Sequence, residues 1–200
     1  MQATRILAIR HGETLWNVDT RIQGHLNIDL NETGRWQAAR VGHALAEEPI
    51  HAIYSSDLRR AFETARAIAE APARLGNAVT PPEVTRHTAL RERHFGHFQG
   101  KTWAEIETGW PEETQRWRGR DPHWAPEGGE SLTALRERIA RCVDELASQH
   151  VGEQIVLVAH GGVMDMLYRL ATGQDIEAPR TWHLGNAAIN RLLWTPQGLS

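Results

Sequence analysis

Two of the eleven histidines in this 200-residue chain share a setting. His11 follows Arg10 at the end of the apolar run Ile6-Leu7-Ala8-Ile9 and precedes Gly12. His160 ends a second apolar run, 155–159, and precedes Gly161 and Gly162. A neutral imidazole can attack an electrophile, and either protonation state can hold a proton or an anion in place. The glycine after each lets the chain turn tightly and brings backbone N–H groups close to a ligand. One histidine in such a place is more often a half-buried packing residue. Two in matching places, one of them preceded by arginine, shift the balance toward a site. The stretch Tyr54-Ser55-Ser56-Asp57-Leu58-Arg59-Arg60 adds an arginine pair. It falls in the first turn of a predicted helix, where free N–H groups and the dipole favour anions. An arginine pair on a helix is ordinarily a solvated face, but its planar fork matches phosphate oxygens. Arg10, Arg60, His11 and His160 together describe an anion pocket, and phosphate suits its charge best.

The surrounding pattern supplies the elements that must hold these groups. Thr4–Arg10 reads as a short strand and 154–159 as a strand that is apolar throughout; His51–Ser55 and Glu83–His87 are two more, and Ala187–Trp194 closes the sheet. Helices are predicted from the N-cap Asn31 to Glu48, over Leu58–Ala71 with Ser56 or Asp57 as cap, over Glu130–His150, and from the second His-Gly to Ala171. In the third of these, Leu132, Leu135, Ile139, Cys142, Val143 and Leu146 fall on one continuous face. Residues 12–30 read as a long loop. Residues 88–129 read as a cap segment, irregular and rich in Trp, Gly, Pro and charge, with helical pieces near 102–108 and 111–117; irregular stretches of that length are usually functional. Apolar strands separated by amphipathic helices imply an α/β chain, a three-layer α/β/α sandwich with a mostly parallel central sheet. The expectation is one domain over 1–200 carrying a small helical and loop cap. Open parallel sheets bind ligands at the carboxyl ends of their strands, and both histidines fall there.

Hydrophobic residues make up 40% of the chain and charged residues 24%, with a formal net charge of −3. That balance argues against non-specific binding to nucleic acid or an anionic membrane. No apolar run approaches the ~20 residues of a membrane span, and the chain enters a strand-like run by residue 4 without a signal-type segment. One cysteine, Cys142, excludes an intramolecular disulfide and a four-cysteine metal site. A cytoplasmic protein acting on a small molecule is expected, without resident cofactor or metal, and a homodimer is left open. His87, His94 and His97 lack carboxylate and cysteine partners at ligand spacing. His25, His43, His51, His123, His150 and His183 read as surface or packing residues. Trp103, Trp110, Trp117 and Trp124 recur every seven residues. They would form either an aromatic lid or the packing of the small cap, and packing is the preferred reading.

The motifs RHGETLWN at 10–17, RIQGHLNIDLNETGRWQA at 21–38, SSDLRRAFETA at 55–65, LRERHFGHFQG at 90–100, PEGGESLTALRERI at 126–139 and VLVAHGG at 156–162 follow one another in order. In that order and spacing the chain resembles the histidine phosphatase superfamily, in its phosphoglycerate mutase-like branch. The resemblance spans nearly the whole chain. It implies that His11 is the nucleophile that becomes phosphohistidine, and that Arg10, Arg60 and His160 hold the phosphoryl oxygens with the amide of Asn17. It further implies Glu92 as proton donor to the leaving oxygen, and Gln23, Gly24 and Gly161 in the phosphate pocket. Such chemistry needs positive charge over the equatorial oxygens more than covalent activation. His11 must then be neutral, with its other nitrogen bonded to a backbone carbonyl. His160 is expected to be charged, and Glu92 protonated in a partly desolvated place. Without the motif, a glutamate flanked by Arg91 and Arg93 would read as a surface ion pair.

The resembling family contains phosphatases and mutases that share this pocket. Arg93-His94 is mutase-like. Against a mutase stand the short stretch Lys101–Gly129, Trp103 where a mutase lysine is expected, Gly162 in place of asparagine, and Phe95 in place of tyrosine. Asn27 and Asp29 also depart from the usual Asp and Pro of their loop. The expected function is a phosphatase of small phosphate monoesters working through a phosphohistidine. A mutase and a phosphate-binding protein with weak turnover are the alternatives.

Overall fold

Alternate residues of the two central strands face different helices, so the sheet is covered on both sides. The protein is described by a computed structural model over residues 2–76 and 82–200. Ile6 and Ala8 of β1 (Thr4–Arg10), with Ile155, Leu157 and Ala159 of β4 (Gln154–Ala159), pack on α6 (Leu132–Ser148) and α7 (Gly161–Thr172). Leu7, Ile9, Val156 and Val158 pack on α2 (Glu32–Leu45) and α3 (Arg59–Arg74), joined by Ile53 of β2 (Ala52–Ser55). A strand buried on both faces needs side chains that are apolar throughout, which the run IVLVA supplies. Each Ile, Val or Leu of that run contributes roughly 1.5–3 kcal/mol on burial.

The strand order is β3-β2-β4-β1-β5-β6, with β3 at Val84–Arg86, β5 at Ile189–Thr195 and β6 at Gly198–Leu199. β3, β2, β4 and β1 run parallel, while β5 lies antiparallel to β1 and β6 antiparallel to β5. Arg10 pairs with Ala159 and Ser55 with Val158. That register delivers His11, His160 and Ser56 side by side at one carboxyl edge.

Several local expectations change. The segment read as loop contains the four-residue helix α1 (Leu15–Val18), started by a capping box between Thr14 and Asn17. Asn31 caps α2 through Gly34 N as expected, but the helix ends at Leu45 rather than Glu48. Neither Ser56 nor Asp57 is the N-cap of α3. That position is Leu58, which makes no side-chain cap. Ser56 is engaged by His160, Asp57 is held by Arg91 through two bonds of 2.7 and 2.5 Å, and the amide of Arg59 donates instead to Asn27 Oδ1. Asn27 therefore ties the loop of residues 24–30 to the start of α3.

The cap segment has its own small core. Phe98, Ile106 and Trp124 are buried, ringed by Ile22, Phe95, Trp110 and Trp117, with α4 at Trp103–Gly109 and α5 at Pro111–Arg118. Trp117 stacks on Phe95 with centroids 5.0 Å apart and meets Trp103 edge-on at 5.2 Å. The tryptophans pack, as preferred above. Among the described residues, no helix is long and apolar enough to cross a membrane.

Candidate active site

His11 emerges from β1 into a turn fixed from three sides. Its amide donates to Ala159 O at 3.0 Å, and its carbonyl accepts from Asn186 Nδ2 at 3.0 Å and Ala187 N at 3.2 Å. Gly12 N donates to Thr64 Oγ1, whose hydroxyl in turn donates to the carbonyl of Arg60. Only glycine fits at position 12, because a Cβ there would lie 2.4 Å from Gly34 O. The ring of His11 is buried, and its Nδ1 lies 2.6 Å from Gly12 O. A carbonyl can only accept, so Nδ1 carries the proton and Nε2 keeps its lone pair. Burial first, then the charges of Arg60 and Arg10, hold His11 well below the ordinary histidine pKa. The imidazole is neutral at pH 7, as a nucleophile requires.

Arg60 is buried, with Nη1 and Nη2 donating to Leu26 O and Gly24 O at 2.8 Å each. Desolvation lowers its pKa to about 10, which leaves it cationic at neutral pH. Arg10 Nη1 donates to Leu184 O. The ring of His160 lies 5.2 Å from that of His11, and its Nε2 is 2.8 Å from Ser56 Oγ. Three buried polar atoms on these residues have no partner: Arg10 Nε, Arg60 Nε and His160 Nδ1. A buried donor left unmet costs about 1–3 kcal/mol. An anion bound among them would satisfy all three.

The charge expected on His160 is corrected. Complete burial, followed by the charges of Arg60, His11 and Arg10, holds its pKa well below the ordinary value, so the ring is neutral at pH 7. The positive charge comes from the two arginines.

Glu92 is not the surface ion pair its neighbours suggest. Arg91 is committed to Asp57, and Arg93 donates to Glu130 O and Trp124 O. The carboxylate instead accepts from Arg93 N at 2.7 Å and from Gly162 N at 3.0 Å, beside the first turn of α7. From there its charge opposes the desolvation of Arg10 and of Arg60. Asn17 Oδ1 accepts from Thr14 N and from Asn186 Nδ2, so its NH₂ is the face left for a ligand. Gln23 is buried, accepting from Thr14 Oγ1. Gly24 sits at φ +52°, and a Cβ there would lie 2.2 Å from Gln99 Oε1. Gly161 opens α7 beside the Arg10 guanidinium.

Sequence reasoning missed Ser56, Thr64 and Asn186, which bond to the backbone or rings of the expected residues. Ser56 had a usable signal, since it follows the end of β2 as His11 and His160 follow theirs. His25, read as surface or packing, packs edge-on against His94 and bonds through Nε2 to Glu92 O at 2.8 Å. Among the described residues no group of three or more His, Cys, Asp or Glu could hold a metal ion.

The pattern of the histidine phosphatase superfamily (branch 1) matches residues 6–200. The phosphoglycerate mutase-like protein 4 of Arabidopsis thaliana is 44% identical over 168 residues, 83% of this chain and 70% of that protein. The metal-independent phosphoserine phosphatase of the same plant is 38% identical over 192 residues, 94% of this chain and 76% of its own. Among solved structures, a mycobacterial glucosyl-3-phosphoglycerate phosphatase in complex with VO3 superposes with a TM-score of 0.79. It is 36% identical and the match covers 96% of this chain and 92% of that one.

Proposed function

The chain belongs to branch 1 of the histidine phosphatase superfamily, and from that premise we infer that it hydrolyses small phosphate monoesters through a phosphohistidine on His11. The observation that carries this reading is the trio of unpartnered buried atoms, Arg10 Nε, Arg60 Nε and His160 Nδ1, around a neutral His11. The phosphoryl oxygens take those three atoms and the amide of Asn17, while His11 Nε2 attacks phosphorus. Glu92 takes up a proton as the phosphate dianion binds beside it, and the ester P–O bond breaks as it gives that proton to the leaving oxygen, a contribution of about 10²- to 10⁴-fold. Water then attacks the phosphohistidine, returning the electron pair to Nε2 and a proton to Glu92, and inorganic phosphate leaves. Two arginines facing the developing charge supply the electrostatic stabilisation.

A mutase would need a second anion grip beside this pocket. Of the residues around the acid segment, Arg93 donates to Glu130 O and Trp124 O, His94 Nδ1 accepts from Gly96 N, and Trp103 packs on Trp117. That supports hydrolysis over transfer. Two of the three named proteins are a phosphoserine phosphatase and a glucosyl-3-phosphoglycerate phosphatase, whose substrates are phosphate esters of small acids. Those esters, with simple alkyl phosphates beside them, are the substrates to try first.

The test is hydrolysis of a chromogenic phosphate monoester in excess chelator, with acid-labile, base-stable phosphoryl-enzyme trapped by rapid quench. Turnover with trapped phosphohistidine in the wild type and neither in His11→Ala is expected. A His11→Ala protein keeping a tenth of the rate would remove the nucleophile. Loss of activity in chelator, restored by a divalent ion, would remove the metal-independent reading.

A further inference from the structure

We propose that Ser56 is a positioning residue that sets the tautomer of His160, so that the imidazole presents an N–H, not a lone pair, to the bound phosphoryl group. The inference rests on the phosphate reading of the pocket and concerns a residue outside the motif roles assigned above. Ser56 is fully buried, and its Oγ lies 2.8 Å from His160 Nε2. The amide of Leu58 donates to the same Oγ at 3.3 Å. A hydroxyl has one proton to give. If His160 Nε2 carried the ring proton, Ser56 Oγ would accept from both Leu58 N and His160, and its own proton would have no acceptor. His160 Nδ1 would then bring a bare lone pair to an anion. With the proton on Nδ1, Ser56 donates to Nε2 and accepts from Leu58, and the unpartnered buried Nδ1 becomes a donor. Every polar atom of the cluster is then matched once phosphate binds.

In this tautomer His160 can donate without taking up a second proton, which burial and the neighbouring charges oppose. It also makes the two histidines the same tautomer turned opposite ways. His11 has its Nδ1–H on Gly12 O and offers Nε2; His160 has its Nε2 on Ser56 and offers Nδ1–H. One ring supplies the attacking pair, the other a donor.

The experiment is ¹⁵N spectroscopy of histidine-labelled, ligand-free protein, with the His160 signals assigned by their loss in His160→Gln. The expected pattern is a protonated Nδ1 and an unprotonated, hydrogen-bonded Nε2 at His160. In Ser56→Ala the Nδ1 proton is shared with Nε2, and inorganic phosphate binds about 10- to 100-fold more weakly, while Ser56→Thr restores both. A wild-type His160 with its proton on Nε2 overturns the proposal, and so does an unchanged phosphate affinity in folded Ser56→Ala. The wild-type spectrum decides the tautomer even if Ser56→Ala fails to fold. A protein without turnover that still shows Nδ1–H and binds phosphate would refute the phosphatase reading alone.

Discussion

Gly162 donates its amide to Glu92 Oε2 at 3.0 Å, and a Cβ on Gly162 would lie 2.2 Å from Glu92 Oε1. The carboxylate therefore rests against the first turn of α7 only because position 162 has no side chain. Gly162→Ala should push the mobile end of Glu92 away and leave the fold standing, since the clash is with a side-chain tip. The expected result is a 10²-fold or greater fall in kcat for alkyl phosphates, with a melting temperature near that of the wild type. An unchanged kcat would show that the proton donor does not need this seat.

Glu92→Gln separates leaving groups. An alkoxide is a poor leaving group and needs the proton, whereas nitrophenolate hardly does. The variant should lose orders of magnitude with alkyl phosphates and much less with nitrophenyl phosphate, read as single-turnover phosphoenzyme formation. Equal losses would reduce Glu92 to a positioning role.

Arg60 is charged in the pocket and also holds the carbonyls of Gly24 and Leu26. Arg60→Lys keeps the charge but loses the planar fork. It should lower kcat/KM by about 10²-fold, a typical cost of one misplaced electrostatic donor. Rates within threefold of wild type would place the phosphate elsewhere.

His11 and His160 both have pKa values pushed down in the folded protein. Above pH 6.5 they are neutral whether the chain is folded or not, and they contribute nothing to the pH dependence of stability. Below it, the unfolded chain takes up protons that the folded chain refuses, so stability falls with falling pH. Each histidine adds a slope of up to about 1.36 kcal/mol per pH unit. Urea unfolding at pH 7 and pH 5 should show this loss, and His160→Gln should reduce it. An identical pH dependence in the variant would mean that His160 titrates normally in the folded state.

The strands bearing His11 and His160 were legible to the residue, because a doubly covered strand must be apolar throughout and glycine marks its end. The N-cap Asn31 was legible for a similar reason, its chemistry being local. Ser56 and Asp57 also look like caps, but their side chains are engaged by His160 and Arg91, more than thirty residues away. Pattern alone cannot show that competition. Nor could it show the charge state of His160, which is set by burial among residues from three strands' ends. The reversed direction of β5 left no mark, since alternation reads the same in either sense. In the cap the two helical pieces near 102–108 and 111–117 were legible as α4 and α5, but not the irregular chain around them, whose fold is set by aromatic contacts between distant residues such as Phe95 and Trp117.

That separate core has an evolutionary corollary. Arg138, on α6 of the main body, grips the carbonyls of Ala89, Arg91 and Glu92, so Glu92 is anchored before the chain reaches Phe95 and the aromatic residues of the cap. Beyond it, Gln99, which accepts from His25 N, Arg120, which pairs with Asp165, and Trp124, whose carbonyl accepts from Arg93, tie the segment to the main body; with those three kept, the rest is free to diverge by recombination. A chimera carrying a foreign cap between Phe95 and Gly128 should keep its nitrophenyl phosphate turnover while changing which alkyl esters it accepts. A chimera that loses both would show the cap to be part of the chemistry after all.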